Sequence, residues 1–338
     1  MKILIVKLSS LGDVVHTMPA MQDLHAVFPE AQIDWVVERP FAPLVRRCRG
    51  VTRVIECELR RWRKSLFASG TRAEWRAFKA GLREVRYDAV IDLQGLTKSA
   101  LVSWLAALAP GGKRYAMANR SQSSGYEAPT RWVADVAVRV DPHGHMVRRA
   151  RELCAAALGY TVPATQSFGL EVIDPLSRSR ERAGVRAAAL QIAFIHGTSR
   201  ADKCWPLPSW VDLGRRLHAT GFAIALPHGT HDEQLRSEQI ARELAAMGVQ
   251  ATVWPRLALD ALADELAACA GAIGVDSGLS HIAVALGLPH VQIYNFDTAW
   301  RSGPQGVAWQ RSVYAKPAPG VDAVWRAWLD VAPASTAP

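Results

Sequence analysis

Several short stretches of this chain gather hydroxyls, carboxylates and cations at spacings that can do chemistry. Near the N-terminus lies Leu8-Ser9-Ser10-Leu11-Gly12-Asp13, directly before a helical stretch, Val14–Val27. Ser10-x-x-Asp13 fits a capping box, in which the carboxylate satisfies the free amides of a helix start. The same carboxylate can act as a base, because one oxygen can bond the backbone while the other faces a substrate. Spacing alone leaves both readings open. Arg60-Arg61-Trp62-Arg63-Lys64 forms a basic block, and eight Lys/Arg fall between Arg46 and Lys64 against two acids. On a helix, Arg60, Arg63 and Lys64 share a face. The block is then either a solvated surface or a clamp whose guanidinium forks grip phosphate or carboxylate. Asp92-Leu93-Gln94-Gly95-Leu96-Thr97-Lys98 offers Gln94 and Lys98 to a ligand, with Asp92 as a candidate cap.

The second half carries a different set. His196-Gly197-Thr198-Ser199 with Lys203 puts two hydroxyls and an ammonium in one loop, which suits a phosphate. Glu233 opens a helix where an acid can accept the two hydroxyls of a ribose. Asp276-Ser277-Gly278-Leu279-Ser280-His281 is a turn into a helix, whose free N–H groups favour a diphosphate. Gly278 would let the backbone come close. Asp276 or Ser277 as a plain N-cap, and His281 as a packed histidine, are the structural alternatives. No Asp-x-Asp occurs, and His143/His145 and His228/His231 lack ligand partners at familiar spacing. The expectation is therefore no metal and no cofactor.

The elements that must hold these residues alternate between short apolar runs and amphipathic helices. Strands are expected at Ile3–Val6, Ile33–Val37, Ala89–Leu93, Ile192–His196, Phe222–Leu226, Ala251–Trp254, Ala272–Val275 and His290–Tyr294. Helices are expected at Trp210–Ala219, Glu233–Met247, Leu259–Cys269 and Leu279–Leu286, the last closed by Gly287. Continuous apolar strands separated by helices imply parallel sheets covered on both faces. In such sheets ligands bind beyond the carboxyl ends of the strands, and the stretches named above, Arg60–Lys64 excepted, follow expected strands. The first loop has one glycine, so the Gly-x-Gly-x-x-Gly dinucleotide fingerprint is absent.

A chain of 338 residues is long enough for two domains. The expected division is 1–175, 186–320 and a C-terminal helix and tail at 321–338 that can pack back on the first domain. The boundary is placed near Asp174–Arg186. No run reaches the roughly 18 apolar residues of a membrane span; Ala100–Pro110 reads as a buried helix. The N-terminal apolar run is too short for a signal sequence. The five cysteines are odd in number and scattered, and read as packed thiols. Together these features place the protein in the cytoplasm.

The net charge of +9 lies wholly in the first half. Residues 1–170 hold 25 Lys+Arg and 15 Asp+Glu; residues 171–338 hold 15 and 16. The asymmetry calls for an anionic partner. Nucleic acid is disfavoured, since no helix-turn-helix, zinc finger or aromatic RNP run is present.

Taken in order, these motifs resemble those of the bacterial lipopolysaccharide heptosyltransferases, glycosyltransferase family 9. The similarity is carried by Val6–Ala20, Asp34–Glu38, Arg60–Lys64, Tyr87–Ser99, His196–Ser199, Lys203, Trp205-Pro206 and Val275–His281, within about Met1 to Tyr294. It implies an α/β GT-B fold, two Rossmann-like domains facing a cleft. The implied reaction is inverting, metal-independent transfer of L-glycero-D-manno-heptose from ADP-L-glycero-β-D-manno-heptose to the Kdo of Kdo2-lipid A, at the cytoplasmic face of the inner membrane. The family's base falls on Asp13. Its donor residues fall on Thr198, Ser199, Lys203, Glu233, Asp276, Ser277, Gly278 and His281, with Lys203 also catalytic. Its acceptor residues fall on Lys7, Ser10, Arg60, Arg61, Arg63, Lys64, Lys98 and Arg120. Two stretches depart from the family pattern, Tyr294–Thr298 and Met117–Thr130. A related transferase with another acceptor or nucleotide sugar, and a non-catalytic nucleotide-binding protein, are the alternatives.

Overall fold

The computed structural model describes residues 1–65, 68–122, 125–173 and 190–332. The chain forms two compact units, Met1–Glu171 and Val172–Pro338. The boundary stretch Asp174–Arg186 and nearly all of the C-terminal tail lie outside the described residues.

The first unit is built on β1 (Lys2–Val6), β2 (Gln32–Glu38), β3 (Arg53–Cys57), β4 (Tyr87–Asp92), β5 (Leu108–Met117) and β6 (Val136–Val138). They pair in parallel in the order β3-β2-β1-β4-β5-β6. The second unit uses β7 (Gln191–Ile195), β8 (Ala223–Leu226), β9 (Ala251–Val253), β10 (Gly271–Val275), β11 (His290–Tyr294) and β12 (Gln310–Tyr314). Its order, β12-β11-β10-β7-β8-β9, is again parallel throughout. Read from its own first strand, each sheet runs 3-2-1-4-5-6, the doubly wound Rossmann order. The order reverses between β1 and β4 in one unit and between β7 and β10 in the other. Those two switch points are where the loops splay apart and a ligand can enter.

All eight strands expected from sequence are present. Of the four others, β3 and β12 are part-charged edge strands, β3 mostly half-buried and β12 mostly exposed, and β6 is a three-residue edge strand. β5 begins Leu108-Ala109-Pro110-Gly111-Gly112, and its pairing with β4 shifts register there. This corrects the reading of Ala100–Pro110 as one helix. The helix Thr97–Leu105 stops and β5 takes over.

The cores explain why the sheets hold. In the first unit Leu4, Val6, Val36, Val90, Tyr87, Trp62 and Phe78 close one face. In the second, Phe194, Trp205, Trp210 and Trp328 are buried with Ile and Val from every inner strand. Trp328 comes from the C-terminal helix Val321–Val331, and its ring lies where a Cβ on Gly271 would sit, at 2.6 Å. The apolar face of that helix therefore belongs to the second unit's core. All five cysteines are free thiols and four are buried; burial pushes Cys48 up to about 12.

Candidate active site

In the first unit the site is built at the β1/β4 switch point. β1 delivers Lys7, Ser9 and Ser10 to the start of the helix Leu11–Val27. The capping box forms: Asp13 Oδ2 accepts the Ser10 N–H at 2.9 Å and the Ser10 hydroxyl at 2.8 Å. Asp13 Oδ1 faces Lys7 Nζ at 3.5 Å, with the carboxylate 23% exposed and the lysine 8%. Lys7 Nζ also donates to Leu93 O at 2.9 Å, so its ammonium is fixed between the two loops. Burial pushes the Asp13 carboxyl up, but Lys7, the two Ser10 bonds and Arg149 outweigh it and hold it below the ordinary range. The result is a carboxylate fixed by its cap, ionised at any physiological pH, with one edge open.

β4 ends in the companion loop. Asp92 accepts the Gln94 and Gly95 N–H groups and the Ser99 hydroxyl, so it shapes the turn. Its burial pushes it up to about 6. Gln94 Oε1 accepts the Leu8 and Ser9 N–H groups at 3.0 and 3.1 Å. Gln94 Oε1 thus ties the two loops together. Ser9 Oγ, buried, accepts from Arg60 Nη2 at 3.0 Å and Lys98 Nζ at 2.9 Å. One serine in this way draws a cation from each of two distant segments.

Other expected acceptor residues are placed differently. Arg61 is taken by Glu58 and Glu74, so its fork is already filled. Only Leu59–Trp62 is helical, and Trp62 is buried, which leaves Arg63 and Lys64 in the following turn. Arg120 is exposed, and its carbonyl accepts from Asn119.

Two residues of this corner escaped the sequence reading. Arg149, buried on the helix Met146–Leu158, donates to Ser121 Oγ and lines a recess of about 20 Å³ with Lys7, Asp13, His16 and Thr17. That volume holds about one water, so an acceptor must lie outside it. Glu38, at the end of β2, is buried among cations. Burial raises its carboxyl above the usual range against the pull of Lys98 and Arg60. The signals were an arginine on the buried face of a helix and an acid closing an apolar strand.

In the second unit the β7/β10 switch point gathers the other set. Lys203, the last residue of the single turn Ala201–Lys203, pairs with Asp276 Oδ2, and His281 Nε2 stands 3.6 Å from Asp276 Oδ1. Burial raises the Asp276 carboxyl, but His281 and Lys203 overcome that and hold it far below the ordinary range. Thr198 Oγ1 donates to Asp276 O at 3.3 Å. Ser277 caps the helix Gly278–Ala285, and its own Oγ is buried with no partner among the described residues. Gly287 closes that helix with φ +71, as its position predicts. Ser199 is exposed beside them.

Glu233 caps the helix His231–Ala246: Oε2 accepts the Gly229 and Thr230 N–H groups at 2.7 and 3.1 Å. Oε1 lies 2.5 Å from where a Gly197 Cβ would be, so only glycine lets this acid reach the β7 loop. His196 is a buried structural partner of Ser237 at 2.7 Å, and burial lowers it to about 3. In the loop that departs from the family pattern, Asn295 Nδ2 donates to Asp202 O and Cys204 O, both at 3.1 Å. It thereby holds the turn that carries Lys203.

Two doubly wound units, each with a prepared corner at its switch point, are the architecture of GT-B glycosyltransferases. The solved Escherichia coli heptosyltransferase WaaC with ADP has this fold at TM-score 0.82 and 33% identity, over 96% of this chain and 98% of that one. Residues 75–313 match the model of glycosyltransferase family 9 (heptosyltransferase), and the chain belongs to that family. Lipopolysaccharide heptosyltransferase 1 of Escherichia coli K12 is 38% identical over 87% of this chain and 88% of its own length. The Pseudomonas aeruginosa protein of the same name is 37% identical over 87% and 78%. WaaC has also been solved with ADP-2-deoxy-2-fluoro heptose, at TM-score 0.75.

Proposed function

We propose that this protein transfers L-glycero-D-manno-heptose from its ADP donor to the Kdo of Kdo2-lipid A, with inversion at the anomeric carbon. The observation that carries the reading is the pairing of chemistries at the two switch points. The first unit presents an ionised, cap-held Asp13 ringed by Lys7, Arg60, Lys98 and Arg149. The second presents Lys203 and the amide end of a helix beside an unpartnered Ser277 hydroxyl.

In this reading the cations bind the acceptor's carboxylate and phosphate groups. Asp13 Oδ1 takes the proton of the acceptor hydroxyl as its oxygen forms the new bond to C1. The bond between C1 and the diphosphate oxygen breaks, and ADP leaves with the electron pair. Lys203 and the Ser277–Gly278 amides steady the charge that gathers on the diphosphate. Glu233 Oε1 receives ribose hydroxyls. Among the described residues no helix is long and apolar enough to cross a membrane. The proposal therefore has the enzyme reach its lipid acceptor as a peripheral protein on the cytoplasmic face.

The test is incubation with ADP-heptose and Kdo2-lipid A, with the product read by mass spectrometry. Growth of the acceptor by one heptose with release of ADP is expected. ADP release without a heptosylated lipid, or turnover only with another nucleotide sugar, overturns the assignment.

A further inference from the structure

Next to the Asp13 corner the first unit holds a second, larger cavity that the reaction does not use. Its volume is about 710 Å³, within the range of ligand pockets. Leu59, Trp62, Trp75 and Leu101 form its apolar wall. The two indoles meet edge to face with centroids 5.7 Å apart. Trp62 Nε1 already donates to Glu74 at 2.7 Å, which leaves its carbon surface for packing. Leu101 stands 40% exposed on the helix Thr97–Leu105.

Cations share this cavity with the carbon surface. Arg63, Arg72, Arg76 and Lys98 all line it, and Arg72 and Arg76 are one turn apart on the helix Ser69–Arg83. Arg61 nearby is filled by two glutamates, but Arg63, Arg72 and Arg76 form no ion pair among the described residues. Lys98 belongs to both places, since its Nζ also donates to Ser9 Oγ at 2.9 Å. A soluble anion would use the cations and leave the half-buried Trp75 and the exposed Leu101 facing water. An uncharged apolar ligand would leave the arginines idle. The complement of this cavity is an anionic amphiphile whose polar end continues toward Ser9.

We propose that the cavity receives one acyl chain of the lipid-linked acceptor, while its arginines meet the acceptor's phosphate. This rests on the functional reading above, and it gives the enzyme a grip on the lipid end of the molecule whose sugar end meets Asp13. The acyl chain and the sugar are then bound at separable places on one unit.

The experiment compares acylated Kdo2-lipid A in detergent micelles with the fully deacylated molecule, for the wild type and Leu101→Glu. Because Leu101 is part-exposed, the variant should fold, which circular dichroism checks. For the acylated acceptor the variant is expected to raise KM tenfold or more. For the deacylated one KM should stay within twofold, with kcat unchanged for both. Equal weakening of both acceptors, or of neither, overturns the acyl subsite. A wild type that turns over neither acceptor overturns the functional reading instead. A third arm uses phosphatidylglycerol vesicles without acceptor. Equal co-sedimentation of wild type and variant is expected; loss of vesicle binding by the variant would assign the cavity to bulk membrane lipid and overturn the proposal.

Discussion

Replacing Asp13 in two ways separates the cap from the chemistry. In Asp13→Asn the amide oxygen can still accept the Ser10 N–H and hydroxyl bonds that now end on Oδ2. What disappears is the charge opposite Lys7 Nζ at 3.5 Å and the ability to take a proton. The ion pair is part-exposed, so its loss should cost less than about 1 kcal/mol. Loss of the base should lower kcat by about 10²–10⁴, a barrier increase of roughly 3–5 kcal/mol. Asp13→Ala removes the cap as well, for about 1 kcal/mol more, or about 2–4 °C in Tm for a unit of this size. Steady-state release of ADP with saturating acceptor gives kcat, and calorimetry gives Tm. The reasoning predicts two variants equally inactive but unequally stable. It is refuted if Asp13→Asn keeps kcat within threefold of wild type. The pH profile adds a check on sign. A carboxyl held below its usual value stays ionised until the pH falls beneath about 3.8, so Asp13 contributes no limb to kcat above pH 4. Its share of stability is likewise present above the unfolded value and lost only as acid protonates the folded form.

Asp92 titrates in the opposite sense. With a folded value of about 6 against an ordinary carboxyl value of 3.8, its stability share is full below pH 4 and lost as pH rises through 6. That makes roughly 3 kcal/mol. Urea unfolding of Asp92→Asn at pH 4.5 and 7 should show a flatter dependence than wild type; an unchanged slope would rule this out. Lys203→Met removes the partner of a buried carboxylate and the cation assigned to the diphosphate. ADP affinity by titration calorimetry should fall tenfold or more, about 1.4 kcal/mol, and wild-type affinity would discard the role. Asp23 and Arg151 are paired at 2.7 and 2.8 Å with both side chains under a tenth exposed. Asp23→Ala should cost about 3–5 kcal/mol in the first unit while ADP binding by the second stays unchanged; a loss under 1 kcal/mol would contradict the buried pair.

The sheets were legible because parallel strands buried on both faces read as unbroken apolar runs, as in Ile3–Val6 and Ala272–Val275. β3 and β12 were not, since an edge strand such as Arg53–Cys57 needs no second apolar face. β5 was hidden by Pro110-Gly111-Gly112, where the irregular pairing is made by tertiary contact with β4. In the site, the Ser10–Asp13 cap was readable because its partners lie three residues apart, whereas Thr230–Glu233, at the same spacing, was read only as a ribose acceptor and proves to be a capping box as well. The neighbours Arg60 and Lys98 could be named from sequence as cations but not as partners of one serine. Nothing local predicts that Ser9 meets residues 51 and 89 positions away. The same limit hid Arg149 and Glu38, and it hid the pairing of Arg61 with Glu74, 13 positions away.

The two switch points share a topology but treat charge in opposite ways. In the second unit Lys203 is neutralised by Asp276, which His281 also faces, so a ligand diphosphate would meet a nearly balanced cluster. Binding then depends on the helix amides and Ser277 Oγ more than on net charge, and should respond weakly to salt. In the first unit Arg60 and Lys98 converge on a neutral hydroxyl, and burial with its cationic neighbour Arg60 lowers the Lys98 ammonium. Two cations held side by side without a full counter-charge are destabilising until an anion arrives. The buried Glu38 offsets them only in part, since burial disfavours its own charge. Acceptor affinity should therefore drop steeply between 50 and 500 mM NaCl while ADP affinity changes little. Equal salt dependence for both ligands would mean that the excess of the first half is solvated surface and that the acceptor is held by other means.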